Sequence, residues 1–171
     1  MRNLEIKAAI TDKEKTLAAV KSLGAVYQYT MRQRDYYFRV GENKKKLRII
    51  DDKEYQIITY RRVEIQGRKD SQYLLEIISA QEADDLLKHN KPARIVDKTR
   101  ELWLYQHTRI HIDHVEGLGE FLELETVVGD MPIKEAEQEF SAVVSGLGIN
   151  TADSVAASYS DLVPALVSPL G

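Results

Sequence analysis

Charged residues recur at every second position in one stretch of this chain after another, with apolar residues filling the gaps. Asn3, Glu5 and Lys7 alternate with Leu4, Ile6 and Ala8, and Lys46 and Arg48 alternate with Leu47 and Ile49. Thr59 and Arg61 alternate with Ile58 and Tyr60, Lys98 and Arg100 stand two apart, and Arg109, His111 and Asp113 share one spacing. Side chains two apart on a β-strand point to the same face, so each stretch predicts a strand with one charged face. Like charges side by side on a sheet repel unless a counter-ion lies between them. Repeated basic pairs on some strands and acidic pairs on others fit strands that converge on a polyanion. An ordinary sheet with salt-bridged outer faces would give the same alternation, and alternation alone does not choose between the two.

The acidic pair lies in the stretch from Asp113 to Glu125, where a strand runs into a tight turn at Gly117 and Gly119 and a second strand carries Glu123 and Glu125 on one face. Hard divalent cations take oxygen ligands, which is one reason to hold two carboxylates together. A solvated sheet face bearing alternating glutamates is the competing explanation. The Gly-x-Gly of this stretch joins strand to strand, so it is a turn and not a nucleotide-binding fingerprint.

A length of 171 residues suits one domain, and with 43% hydrophobic and 30% charged residues a folded core is within reach. The formal net charge is −3 and the pI about 5.8, which argues against a general nucleic-acid or membrane-surface binder. The chain has no cysteine, so disulfides, thiolate nucleophiles and thiolate metal sites are excluded. The N-terminal residues lack the apolar core of a signal peptide, and no apolar run reaches the roughly 18 residues of a membrane span. The expected location is the cytoplasm.

Read for local structure, residues 2 to 10 alternate as a strand, and Thr11-Asp12 offers an N-cap to a helix with Leu17, Val20 and Leu23 as its apolar stripe and Gly24 at its end. Strands are predicted at 26–40, 46–51, 54–63, 72–78, 94–105, 108–115 and 120–128, with turns at Gly41-Glu42-Asn43 and Asp51-Asp52-Lys53 and a polar loop from Gly67 to Ser71. Helices are predicted at Ala80–His89, from Pro132 to about Gly146 with Ala136, Phe140, Val143 and Val144 buried, and over about Thr151–Leu162. A tail from Val163 to Gly171, with two prolines, is expected to fray. The strands are joined mostly by short turns, so the sheet is antiparallel, and about eight such strands can close into a barrel. The expected fold class is α+β: a closed eight-stranded antiparallel β-barrel forming a tunnel, charged inside, with helices packed on its apolar exterior. Residues 1–162 would form this single domain.

Several of these residues, taken in order, resemble the CYTH superfamily of triphosphate tunnel metalloenzymes. The resemblance rests on Glu5-x-Lys7, Leu47-Arg48, Lys98-x-Arg100, the stretch Ile112-Asp113-x-Val115-x-Gly117-Leu118-Gly119-x-Phe121 followed by Glu123 and Glu125, and the closing Ser158-Tyr159-Ser160-Asp161-Leu162. It spans residues 1 to about 162 and is more specific for the fold than for the activity. It implies a tunnel that binds a triphosphate or nucleotide, with Mg²⁺ or Mn²⁺ as cofactor. Carried onto this chain, it makes Lys7, Lys46, Arg48, Arg61, Lys98, Arg100 and Arg109 the substrate-binding set and Glu5, Glu123 and Glu125 the metal ligands. Asp113, Glu123 and Lys98 are the catalytic candidates, with Asp113 at the metal site or orienting water. Glu76 is a further inward carboxylate, and Arg39 shares a face with plausible tunnel residues. His111 is more often expected as a hydrogen-bonding neighbour, with a general base near neutral pH as the alternative, and an aromatic side chain at the tunnel mouth could stack an adenine. The chain departs from the family pattern at Asn3, where an acid is usual, at Ile50, where a second arginine is common, and at Gln72-Tyr73-Leu74, where Arg-Glu-Glu is usual.

Three functions follow as expectations: metal-dependent hydrolysis of tripolyphosphate, a nucleoside triphosphate or thiamine triphosphate; conversion of ATP to cyclic AMP and pyrophosphate, as in class IV adenylyl cyclases; or triphosphate or polyphosphate binding without turnover. The implied partner is a small-molecule triphosphate, with no membrane or general nucleic-acid role, and the outer helices offer a face for a homodimer.

Overall fold

Alternation does close the sheet. The computed structural model describes residues 2–38, 44–65 and 68–164. In chain order the elements are β1 (Arg2–Ala9), α1 (Lys13–Ser22), β2 (Val26–Phe38), β3 (Lys44–Ile50), β4 (Glu54–Ile65), β5 (Arg68–Ile78), α2 (Ala80–His89), β6 (Arg94–Tyr105), β7 (Thr108–Val115), β8 (Gly119–Val127), α3 (Ile133–Gly146), a 3-10 turn (Thr151–Asp153) and α4 (Tyr159–Leu162). The strands form a closed barrel in the order β1-β5-β4-β3-β2-β6-β7-β8, and every neighbouring pair is antiparallel. Among the described residues, no helix is long and apolar enough to cross a membrane.

Turn chemistry sets the register. Asp51 and Asp52 both adopt positive φ, at 50° and 56°, the conformation of a two-residue turn whose twist matches the strands it joins. Gly117 and Gly119, at φ 76° and 107°, let β7 double back into β8 at a backbone geometry most side chains resist. That turn puts Asp113 opposite Phe121 and His111 opposite Glu123.

The main hydrophobic core lies outside the barrel. On β1 the odd residues Asn3, Glu5 and Lys7 point into the lumen, while Leu4 and Ile6 pack outward with Ile110, Ile112, Leu122 and Leu124 from β7 and β8. Val20 of α1 and Ala136, Phe140, Val143 and Val144 of α3 cover this surface. Asp12 caps α1 by accepting from the Lys15 amide, and α2 begins with a capping box between Ser79 and Glu82.

Two elements differ from the expectation. The stretch read as a polar loop from Gly67 to Ser71 is strand from Arg68 onward, because β5 pairs with β4 on one side and with β1 on the other. The expected helix over Thr151–Leu162 is broken. Ser154 bridges to Ala8, and the Val155 amide donates to the Lys7 carbonyl at 2.7 Å, so this segment adds itself to the end of β1. A capping box between Ser158 and Asp161 then starts the short α4. Val163, expected at the start of a fraying tail, is buried, and its carbonyl accepts from Arg94. Tyr159 and Val163 join Tyr37, Ile58, Tyr60, Val96, Val115 and Phe121 in a second apolar cluster. The expected turn at Gly41-Glu42-Asn43, together with Arg39, and the tail beyond Pro164 lie outside the described residues.

Candidate functional site

The lumen is a cavity of ≈ 470 Å³ lined by side chains from every strand of the barrel. Lys7, Lys46, Arg48, Lys98, Arg100 and Arg109 line it, as do Glu5, Glu123 and Glu125. The structure thus gathers from five strands residues that are more than a hundred positions apart in sequence. It does not gather all of those expected. The inward residues of β4 are Glu54, Gln56, Ile58 and Tyr60, so Arg61 projects to the exterior and is exposed. On β5 the inward residues are Ser71, Tyr73 and Leu75, and Glu76 is likewise exposed on the outer face. Apart from Glu54 at the start of β4, the inward residues of these two strands are neutral, and Arg61 and Glu76 face water.

Asp113 also takes a different place from the one expected. It is fully buried and lies behind the lumen rather than on its surface. Its carboxylate accepts from Arg100 through Nε and Nη2, both at 2.6 Å, from the Tyr159 hydroxyl at 2.9 Å and from Lys98 Nζ at 3.5 Å. These donors are all protein groups, and they hold the carboxylate away from the cavity surface. Burial acts to raise its pKa, but Arg100 and Lys98 outweigh burial and hold it well below the ordinary carboxyl range.

Asp35 of β2, which the sequence reading passed over, occupies a matching position. It is 1% exposed and accepts from Arg48 Nε and Nη2, both at 2.7 Å, and from Lys46 Nζ at 2.8 Å. Burial opposes its charge, and Arg48 and Lys46 restore it, leaving the carboxyl well below its usual value. The signal was present in the sequence, since an aspartate among Tyr36, Tyr37 and Phe38 is out of keeping with strand preference unless it has a buried partner. Burial, aided by Arg48, pulls Lys46 down to about 7 against the pull of Asp35.

At the other side of the lumen His111, Glu123 and Glu125 each present a ligand atom, all within 4.8 Å of one another. Glu123 accepts from Arg100 Nη2 at 2.7 Å, and Glu125 pairs with Arg109 Nη2 at 2.9 Å. His111 Nδ1 is buried with no hydrogen-bond partner and stands 3.9 Å from Glu125 Oε1. Burial and then Arg100 hold the imidazole down at about 4, so the ring is neutral and a nitrogen lone pair is available. Two carboxylates and an orphaned neutral imidazole suit a divalent cation. Glu5 lines the lumen directly across the sheet from Glu125 but is not one of these three. Asn3, where an acid is usual in the resembled family, accepts from Arg109 Nη2 at 3.0 Å when its amide is oriented to satisfy both of its neighbours.

The cationic side of the lumen continues into a neutral wall. Tyr29, Met31 and Gln33 run along β2 with Leu102 beside Tyr29 and Ile50 beside Gln33. Tyr29 is exposed at the opening, whereas Gln33 is buried with its Oε1 unpartnered. At the opposite end Lys7 Nζ donates to the Ala157 carbonyl at 3.1 Å and lies 3.9 Å from the centre of the Tyr159 ring.

Comparison with known proteins places this architecture. The family model described as the CYTH domain matches residues 1–159. A curated relative from Methanocaldococcus jannaschii, named "Putative adenylate cyclase", is 28% identical over 172 residues, covering 95% of this chain and 98% of that protein. Among solved structures, the PH1012 protein of Pyrococcus horikoshii superimposes with a TM-score of 0.82 at 20% identity, over 95% of this chain and 99% of that one. A Hippeastrum protein described as a "putative adenylyl cyclase" with a dominant triphosphatase activity superimposes with a TM-score of 0.62 at 13% identity, over 86% and 88% of the two chains.

Proposed function

This chain belongs to the CYTH domain family, and on that premise we propose that it is a divalent-metal-dependent triphosphatase that hydrolyses a triphosphate held in the barrel lumen. The observation that carries the reading is the division of one closed cavity into a cationic side and an acidic, imidazole-bearing side. A phosphate chain needs the first, and a divalent cation needs the second. Lys46, Arg48, Lys98 and Arg100 would bind the phosphate oxygens, with the arginine forks suited to bidentate contacts. The same groups would absorb negative charge as it shifts toward the leaving oxygen. Glu123, Glu125 and His111 would hold Mg²⁺ or Mn²⁺, which when bound supplies positive charge against a phosphoryl oxygen. Arg100 touches Glu123 and so ties the cationic side to the acidic one. Burial of Lys46, Lys98, Arg100, His111 and Glu123 lowers the local dielectric, which strengthens each of these interactions.

The test is phosphate release by the purified protein from tripolyphosphate, ATP and thiamine triphosphate, with Mg²⁺ or Mn²⁺. Release from at least one of them, lost in Glu123→Ala, supports the reading. No release with any of these metals and substrates overturns it. Tight triphosphate binding without turnover would instead identify a binding module, for which Asn3 in place of an acid is the motivation.

A second reading, conversion of ATP to cyclic AMP and pyrophosphate, is favoured by the neutral wall of Tyr29, Met31, Gln33 and Leu102. A bare phosphate chain has no use for an apolar surface or for a buried carboxamide oxygen that can accept from an N–H group. The name of the Methanocaldococcus relative points the same way. Product identification separates the two activities: cyclic AMP with pyrophosphate marks the cyclase, and ADP with phosphate the hydrolase.

A further inference from the structure

The lumen wall contains the same construction twice. Lys46-Leu47-Arg48 lies on β3 and Lys98-Thr99-Arg100 on β6. Each arginine is the register partner of an aspartate on the adjoining strand, Arg48 with Asp35 and Arg100 with Asp113. In both, the guanidinium gives Nε to Oδ1 and Nη2 to Oδ2, and the lysine two residues earlier reaches Oδ2. A tyrosine hydroxyl completes each set on Oδ2, from Tyr37 at 3.3 Å and from Tyr159 at 2.9 Å. The barrel order β3-β2-β6-β7 makes the second set the first one displaced by two strands around the wall, with strand direction preserved. Both aspartates are buried and neither lines the cavity, whereas all four basic residues do.

We propose that Asp35 and Asp113 are equivalent positioning residues, each standing behind a Lys-x-Arg pair and fixing it as one of two stations for the oxygens of a single phosphate chain. An aspartate on the lumen surface would compete with an anionic ligand. One set back in the wall takes the inner edge of the guanidinium and leaves the outer edge free for the ligand. It also holds together two cations that would otherwise repel each other. The stations differ in balance: Arg100 gives Nη2 to Glu123 as well as to Asp113, while Arg48 gives both Nε and Nη2 to Asp35. The Asp35 station therefore depends more heavily on its single carboxylate and is the one to test. Lys46 is faced by Asp35 and Tyr37 from β2, Arg48 on its own strand, Tyr60 from β4 and Lys98 from β6. Asp35 is the only anion among these groups.

The inference rests on the functional reading above for its choice of probe, tripolyphosphate, whose binding would be measured by calorimetry without turnover in Ca²⁺ or metal-free buffer. Asp35→Asn keeps the shape of the side chain and removes the charge. It is expected to weaken binding at pH 7.5 about tenfold and to move the alkaline limit of binding to lower pH, because Lys46 loses the carboxylate that favours its charged form. Lys46→Met is expected to cost about tenfold in the wild-type background but less than about threefold alongside Asp35→Asn, the non-additivity of two residues acting as a unit. The double variant removes one charge of each sign, so it keeps the cycle closed if the single Asp35 variant folds poorly. Asp35→Asn binding as tightly as wild type with an unmoved pH profile, or additive costs in the double variant, overturns the inference while leaving the triphosphate reading intact. Wild-type protein that binds no tripolyphosphate overturns both.

Discussion

At the scale of single residues, the lumen is governed by charges that are buried yet matched. Lys46 shows the consequence most clearly, since its amine is drawn down to about 7 by burial and by Arg48. At pH 8 most of it is therefore neutral in the free protein, and an incoming phosphate raises its pKa and draws a proton from solution. Calorimetric binding of ATP at pH 8 in buffers of different ionisation enthalpy should report proton uptake in wild type beyond that in Lys46→Met. The difference should vanish at pH 6, where Lys46 already carries its proton. Arg61 and Arg48 give a second test, because one faces out and the other in. Arg48→Ala should cost about tenfold or more in triphosphate affinity, whereas Arg61→Ala should leave it within about twofold. Equal losses in the two variants would contradict the orientation of β4.

At the scale of elements, stability should depend on what packs outside the barrel and on the cluster that α4 joins. Phe140 of α3 is buried in the core that covers β1, β7 and β8. Phe140→Ala should destabilise the fold by about 3–5 kcal/mol in urea unfolding. Tyr159→Phe removes only the hydroxyl that donates to Asp113 and should cost about 1–2 kcal/mol, since the ring contact with Phe121 at 5.2 Å remains. These two variants bracket how far the sequence could be read. The stripe of α3 and the strands β1, β6, β7 and β8 were legible because each has a charged face and an apolar face that cannot both meet the same surroundings. β4 and β5 were misread at Arg61 and Glu76 because their inward faces are neutral beyond Glu54, so the charged-face-inward rule has little to select. Water takes the charges there, and Leu74 and Ile77 of β5 are exposed as well. Asp35 was missed because the aromatic residues around it proclaim a strand and say nothing of the cations that the closed sheet brings beside it. His111 was read as a hydrogen-bonding neighbour or a base, and its grouping with Glu123 and Glu125 emerges only from the register of β7 on β8.

At the scale of the whole molecule, the barrel is close to electrical balance before any ligand enters. With Arg61 and Glu76 outside, Asp35 within, and the exposed lining residues Asp51 and Glu54 left to solvent, the buried and half-buried charges of the lumen and its wall are Lys7, Lys46, Arg48, Lys98, Arg100 and Arg109 against Glu5, Asp35, Asp113, Glu123 and Glu125, one cation in excess. A divalent ion brings the interior to +3, and a triphosphate of roughly −4 then leaves it near neutral, extrapolating from about −2 on a terminal phosphate. Metal and triphosphate should therefore stabilise the fold together more than either does alone. At a ligand concentration of 100 times Kd the gain is about 2.7 kcal/mol, or roughly 5–10 °C in Tm for a chain of this size. Thermal scans with each component alone and with both would show it, and a shift with both no larger than the sum of the separate shifts would contradict the shared neutralisation.

The segment from Ser154 to Tyr159 is stitched to β1 through Ala8, the Lys7 carbonyl and the Lys7 ammonium, and it delivers Ser158 and Tyr159 to the cavity lining. The chamber is therefore finished only after these late residues have been synthesised. A nascent chain halted before them has all eight strands but an incomplete lining.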